Sequence, residues 1–219
     1  MFSYFGGKGR IAGKYPDPKH DTIVEPFAGG ARYSLYGDNW RRLVILRDVN
    51  PHVIAAWRWL QQATYNDVMS LPLIDTKQVV PDHMPRAVRT LLGYWVNKGT
   101  ARPRRTAGCR ITSIAMREQV ALSLHKIRHW DIALGSHDAI PNIRATWFID
   151  PPYQSGGKGK QYPYCAPIDY DALASWTQSR RGQVIACDID DAQWLPFRPL
   201  VTANGQRAPQ REGIWTNGK

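Results

Sequence analysis

The chain has 219 residues, enough for one full domain with a smaller insert, and its 43% hydrophobic content excludes wholesale disorder. Lys and Arg number 29 against 18 Asp and Glu, and the resulting net charge of +11 points to an anionic partner, nucleic acid before acidic membranes. Three cysteines without metal-ligand spacing, no N-terminal apolar segment and no run approaching a membrane span give the expectation of a cytoplasmic protein with reduced thiols.

The N-terminus opens with Tyr4-Phe5-Gly6-Gly7-Lys8-Gly9-Arg10, a glycine-rich loop with basic residues. Thr22–Glu25 reads as a strand running into Pro26-Phe27-Ala28-Gly29-Gly30-Ala31, a turn expected to open a short helix through Arg32–Tyr36. Arg42–Leu46 is a second predicted strand, closed by Asp48. Asn50-Pro51 supplies an N-cap and an N1 proline for a helix over His52–Ala63, with Val53, Ala56, Trp57 and Leu60 on one face.

Prolines 72, 81, 85 and 103 then break the chain, and Gly99–Gly108 reads as an exposed basic loop. Helical spacing returns over Met116–Trp130, whose stripe Met116, Val120, Leu124 and Ile127 is expected to be core. Residues 67–128 therefore read as a basic insert between 1–66 and 129–219. From Gln78 to Trp130 ten basic residues face only Asp82 and Glu118, so this segment carries +8 of the +11. With Trp95 and Trp130 nearby, it suits a polyanion-binding surface.

After the insert come a strand at Thr146–Ile149, a helix at Asp169–Arg180 and a strand at Gln183–Cys187. Leu200–Ala203 and Gly213–Thr216 suggest a closing hairpin around a polar Asn204–Glu212 turn. Strands alternating with helices predict an α/β protein, with a mostly parallel sheet covered on both faces.

Two features carry chemistry. Asp150-Pro151-Pro152-Tyr153 follows a buried strand, and its prolines restrict their own φ and the residue before each. The Asp150 carboxylate and the Pro151 carbonyl are thereby expected to be fixed acceptors beside Tyr153, a clamp for a flat, amino-bearing ring. The second feature is the glycine turn after the first strand, with Asp48 lying 18 residues beyond Gly30. That is the general nucleotide-cofactor layout, in which the acid receives ribose hydroxyls. Taken alone it fits a plain strand–turn–helix equally well. It is not G-x-G-x-x-G and no Walker lysine follows, which disfavours a dinucleotide or triphosphate. Six scattered histidines lack ligand spacing, so no metal is expected.

Taken in order, Tyr4-Phe5-Gly6-Gly7-Lys8, Glu25-Pro26-Phe27-Ala28-Gly29-Gly30, Asp48 and Asp150-Pro151-Pro152-Tyr153 resemble the Dam-type N6-adenine DNA methyltransferases, above all phage-encoded members. The resemblance extends through Trp147–Gln154, Arg181–Cys187, Trp194–Phe197 and Ile214–Asn217, and is weakest over the insert. It implies a Rossmann-like S-adenosylmethionine-dependent methyltransferase fold with a C-terminal antiparallel hairpin and an inserted target-recognition domain. It further implies S-adenosylmethionine as cofactor, double-stranded DNA as partner, and base flipping in the cytoplasm of a bacterium or phage-infected host.

Residue by residue, the resemblance assigns Tyr4, Phe5, Gly6, Lys8, Glu25, Phe27, Ala28, Gly29, Gly30, Asp48 and Asp150 to the cofactor. Asp150, Pro151, Pro152 and Tyr153 match the catalytic clamp. Ser136 and Asp138 remain alternatives for the acid that relatives place near the cofactor's adenine, and Asp188 stands where relatives commonly carry Glu. Arg86, Arg89, Lys98, Arg102, Arg104, Arg105 and Arg110 are candidates for phosphate and guanine contacts. Lys158 and Lys160 flank glycines after the clamp, in a loop that either closes over a flipped base or is simply solvated. Rival readings are an N4-cytosine or RNA methyltransferase and a non-catalytic DNA-binding relic. Asp rather than Ser at position 150 favours adenine.

Overall fold

The computed structural model describes residues 1–97, 99–108, 112–154, 162, 164, 167–204 and 209–219. Its centre is a sheet of strands β1 (Thr22–Glu25), β2 (Leu43–Asp48), β3 (Asp131–Leu134), β4 (Ala145–Ile149), β5 (Gly182–Ile189), β6 (Arg198–Asn204) and β7 (Pro209–Thr216). Their spatial order is β3-β2-β1-β4-β5-β7-β6. The first five run parallel, while β7 pairs antiparallel with both β5 and β6. This is the expected Rossmann-like α/β arrangement with a closing hairpin.

Alternating side chains enter two cores, one on each face. Ile23, Val44, Leu46, Phe148, Ile185 and Cys187 pack on one side. Val24, Trp147, Ile149, Val184 and Ala186 pack on the other. Both faces are covered, which is why the parallel strands read as continuous apolar runs rather than as polar/apolar alternation. Helix α1 (Pro51–Gln62) lies over the first face through Val53, Ala56, Trp57 and Leu60. Helix α5 (Tyr170–Gln178) covers the second with Leu173 and Trp176.

The α1 cap is as expected: Pro51 sits in the first turn and the Asn50 side chain accepts the His52 N–H at 2.9 Å. The helix expected at Arg32–Tyr36 does not form; consecutive turns run there instead. Ala31 holds φ at +45°, and the Ser34 N–H is claimed by Glu25 rather than by a helical carbonyl. The helix expected over Met116–Trp130 is also divided. It runs as α4 (Ile114–Leu122), breaks at Ser123 and continues as a 3-10 turn over Leu124–Ile127. The Ser123 hydroxyl donates back to the Gln119 carbonyl, a side-chain bond of the kind that bends a helix.

Residues 67–128 begin within α2 (Tyr65–Met69) and contain α3 (Arg86–Trp95) and α4. Among the described residues, Val88, Leu91, Leu92, Tyr94 and Val120 join the cluster that contains Trp57 and Phe2. Phe2 stacks on Tyr94 with ring centres 5.3 Å apart, which ties the N-terminal segment to α3.

Candidate active site at the switch point

Chain order reverses between β1 and β4: β1 leads outward to β2 and β3, and β4 leads the other way to β5. In open α/β sheets the crevice beyond the carboxyl ends of the strands at such a point is where ligands bind. Glu25 ends β1, Asp48 ends β2 and Asp150 follows β4 directly, so the expected site residues converge on that crevice.

The β1 loop is anchored from beneath. Asp48 accepts the Gly29 N–H on Oδ2 at 2.9 Å and the Asn50 N–H on Oδ1 at 2.8 Å. Burial raises its carboxyl to about 6, and the two backbone donors work against that rise. Trp57 Nε1 donates to the Gly29 carbonyl at 2.9 Å. Gly29 adopts φ +43°, and a Cβ there would meet the Tyr4 ring at 2.9 Å, so only glycine lets the N-terminal loop lie on this turn. Asn50 Nδ2 reaches the Tyr4 hydroxyl at 3.3 Å and the Ala101 carbonyl at 3.4 Å, joining the end of β2 to both the N-terminal motif and the basic loop.

Glu25 is buried and uses Oε1 to accept the Ser34 N–H at 2.8 Å. Burial pushes its carboxyl up to about 7. Its visible task is to hold the turn that replaces the expected helix. Phe27 is half-buried and stacks on His137 at 5.4 Å, bringing residues 136–138 beside the β1 loop. There the Ser136 hydroxyl donates to Asp138, so those two candidates are bonded to each other. Phe5 and Tyr4 both pack against Tyr162, with ring centres 5.6 and 6.3 Å away.

At the clamp, Pro151 and Pro152 are buried and Tyr153 is half-buried. The Tyr170 hydroxyl donates to the Pro152 carbonyl. Asp188, fully buried on β5, accepts the Gln154 N–H at 3.3 Å and Trp194 Nε1–H at 2.7 Å on one oxygen. Asp188 thus fixes the chain where it leaves the clamp. Burial raises the Asp188 carboxyl, and its donors oppose the rise.

Lys8 connects the clamp to the rest of the protein. Its Nζ lies 3.1 Å from Asp150 Oδ1 and 3.1 Å from Glu212 Oε1, sits 4.4 Å from the Tyr153 ring centre, and also donates to the Tyr153 hydroxyl. Glu212 accepts the Tyr15 hydroxyl on Oε1 and the Tyr153 hydroxyl on Oε2, each at 2.7 Å. Burial disfavours the Lys8 charge, but the Asp150 and Glu212 carboxylates outweigh it, and the ammonium is held well above its ordinary range. For Asp150, burial is the larger influence and raises the carboxyl to about 7 against the pull of Lys8. Burial likewise keeps the Tyr153 hydroxyl protonated.

Glu212 had been placed in a polar turn. It lies instead on β7 opposite Ile189 and is 5% exposed. Its sequence signal was position: it immediately precedes the Gly213–Thr216 strand, and alternation along that strand turns it inward.

The basic loop is built rather than loose. A bridge between Val79 and Thr106 pins it, with the Val80 N–H donating to Arg105 O at 2.7 Å and the Ala107 N–H to Gln78 O at 2.8 Å. A Cβ on Gly93 of α3 would meet the Arg104 carbonyl at 2.8 Å, so loop and helix are in close contact. Arg86, Arg102, Arg104 and Arg105 are exposed and Arg89 is half-buried. Arg105 and Arg89 share Asp82, at 2.6 and 3.4 Å. Arg117 and Arg128, part of the counted charge, donate to the carbonyls of Met69 and Leu71 and of Gln61 and Ala63 respectively. Lys98, Arg110, Lys158 and Lys160 lie outside the described residues.

Fold and site together define a Rossmann-like α/β protein whose polar groups gather at the switch point. No protein-family model and no curated protein matches the chain. Among solved structures it is similar to a "putative methyltransferase" from Pseudomonas syringae at 10% identity, over 93% of this chain and 91% of that one, with a TM-score of 0.40. That level of likeness speaks to neither substrate nor chemistry. No helix among the described residues is long and apolar enough to cross a membrane.

Proposed function

We propose that this protein transfers a methyl group from S-adenosylmethionine to the N6 amine of an adenine flipped out of duplex DNA. The observation that carries the reading is the Asp150–Tyr153 clamp at the end of β4, set beside the glycine turn of β1 at the switch point.

The β1 loop suits an adenosyl cofactor in two respects. Gly29 keeps the backbone bare where Tyr4 crosses it. Each Asp48 oxygen takes one backbone N–H and, as a carboxylate oxygen, retains a further lone pair for a ribose hydroxyl. The cofactor, when bound, supplies an electrophilic methyl group.

The remaining tasks fall to the chain. The adenine amine is a weak nucleophile because its lone pair is delocalised into the ring. Asp150 and the Pro151 carbonyl accept its two hydrogens and draw the nitrogen towards a tetrahedral shape. Tyr153 offers a stacking face worth about 1–3 kcal/mol to an extruded base. Asp150 also places negative charge beside a nitrogen that becomes cationic, which makes orientation and electrostatics the main contributions. Arg102 and Arg104, exposed on a braced loop, are suited to the phosphate backbone.

The test is incubation with methyl-labelled S-adenosylmethionine and, in parallel reactions, mixed-sequence duplex DNA or RNA, followed by digestion to nucleosides. Label in N6-methyl-2′-deoxyadenosine supports the reading. Label confined to cytosine favours the N4-cytosine alternative, transfer only to RNA favours the RNA alternative, and DNA binding without transfer leaves a non-catalytic relic.

A further inference from the structure

Lys8 occupies a position that the proposed chemistry requires for something else. Its ammonium touches the Asp150 carboxylate at 3.1 Å and lies over the Tyr153 ring at 4.4 Å. A carboxylate contact and an aromatic face are the two things the clamp has to offer a substrate amine, so Lys8 and that amine compete for one place. Lys8 also has a second carboxylate at the same distance, Glu212 Oε1 at 3.1 Å, with Oε2 at 3.5 Å. Glu212 is itself held from two sides, by Tyr15 and by Tyr153.

We propose that Lys8 stands in for the target amine in the clamp, and that Glu212 retains the ammonium when the amine displaces it from Asp150. Glu212 is then a positioning residue that governs access to the clamp. The inference rests on the methyl-transfer reading above.

Two physical points support it. A buried carboxylate without a partner is strongly disfavoured, so an unescorted Asp150 would take up a proton and lose the negative charge that makes it a strong acceptor. Lys8, at 3.1 Å, favours its ionised form against burial until a donor arrives. A buried ammonium released with nowhere to go would impose the same penalty in reverse, and Glu212, already in contact, removes that penalty. The exchange needs no new desolvation, because both carboxylates already touch the ammonium.

A purely structural alternative is that the Lys8–Glu212 pair only ties the N-terminal loop to β7. A double-mutant cycle separates the two. E212Q is expected to raise KM for target duplex roughly tenfold while kcat changes less than about threefold, because Lys8 is then left with Asp150 alone. In a K8M background, where nothing needs displacing, the same substitution is expected to change KM less than about twofold. An equal rise in both backgrounds, or a loss confined to kcat, overturns the proposal.

If K8M proves too slow to assay, affinity replaces turnover. The readout is the ratio of Kd values for a duplex with an abasic position at the target and one with an unpaired adenine there. E212Q should shrink that preference roughly tenfold with Lys8 present and leave it unchanged with K8M; shrinkage in both backgrounds overturns the proposal. A wild-type protein that methylates no adenine brings down the methyl-transfer reading itself, a result distinct from additivity in the cycle.

Discussion

Tyr153 and Glu212 are joined across 59 positions of sequence by a hydrogen bond of 2.7 Å, the phenol donating to Glu212 Oε2. The bond ties the clamp after β4 to the antiparallel strand β7. It anchors the far end of a ring whose face is the proposed stacking surface. The hairpin at the sheet edge therefore contributes to the site as well as closing the sheet.

Replacing Asp150 with alanine is expected to reduce methyl transfer on the order of 100-fold or more while changing cofactor affinity less than about threefold. The reason is that the groups lining the β1 loop, Asp48, Gly29 and Tyr4, are anchored independently of Asp150. Single-turnover rates and calorimetric titration with the cofactor check the two halves. Near-normal transfer would remove Asp150 from the chemistry.

Glu25→Gln should alter the pH dependence of stability. The buried Glu25 carboxyl is raised from 4.5 to about 7, so between those values the folded protein holds a proton that the unfolded chain has released. Its stabilising effect is fully present below pH 4.5 and is lost as pH rises through 7. The amide oxygen of Gln can still accept the Ser34 N–H. Urea midpoints should show the variant gaining on wild type as pH rises from 5 to 8, by an amount on the order of 1–3 kcal/mol. A constant difference across that range would contradict the account.

Neutralising Arg102 or Arg104 should lower the salt dependence of DNA binding by about one unit of slope each. Arg105→Gln should do less, because Arg105 already faces Asp82 at 2.6 Å. Affinities measured across a salt series give the slopes directly, and equal slopes for all four proteins would mean that the loop is only a solvated face.

Gly93→Ala is expected to cost about 1–3 kcal/mol, since the added methyl would press on the Arg104 carbonyl at 2.8 Å and on Pro103 at 2.9 Å. The Arg104 backbone and the rigid Pro103 ring leave little room to yield. Thermal melting reports the loss, and DNA affinity should fall with it if the displaced loop is the binding surface.

Much of this architecture was legible in the chain. β1, the Asn50 cap and the burial of Trp57 followed from local chemistry, because strong β-formers and a good N-cap act over a few residues. The convergence of Gly29, Asp48 and Asp150 was legible because strand ends in a doubly wound sheet meet at one crevice. What escaped depends on tertiary context. β3 was passed over because four residues starting at an exposed Asp131 carry little pattern without β2 beside them. α2 carries its own signal, the reciprocal Thr64–Asp67 capping box, but its five residues are too few to show a helical period. Arg117 and Arg128 read as surface charge, yet their guanidinium groups satisfy backbone carbonyls, a use that no spacing rule reveals. Glu212 was hidden for the same reason: its partners lie at positions 8, 15 and 153.

The most direct test is base-resolved sequencing of DNA from cells expressing the wild-type chain beside cells expressing the Asp150→Ala variant. N6-methyladenine at one short recurring sequence, present with wild type and absent with the variant, is the expected result. Adenine methylation equal in the two cultures, or modification found only on cytosine, would contradict it.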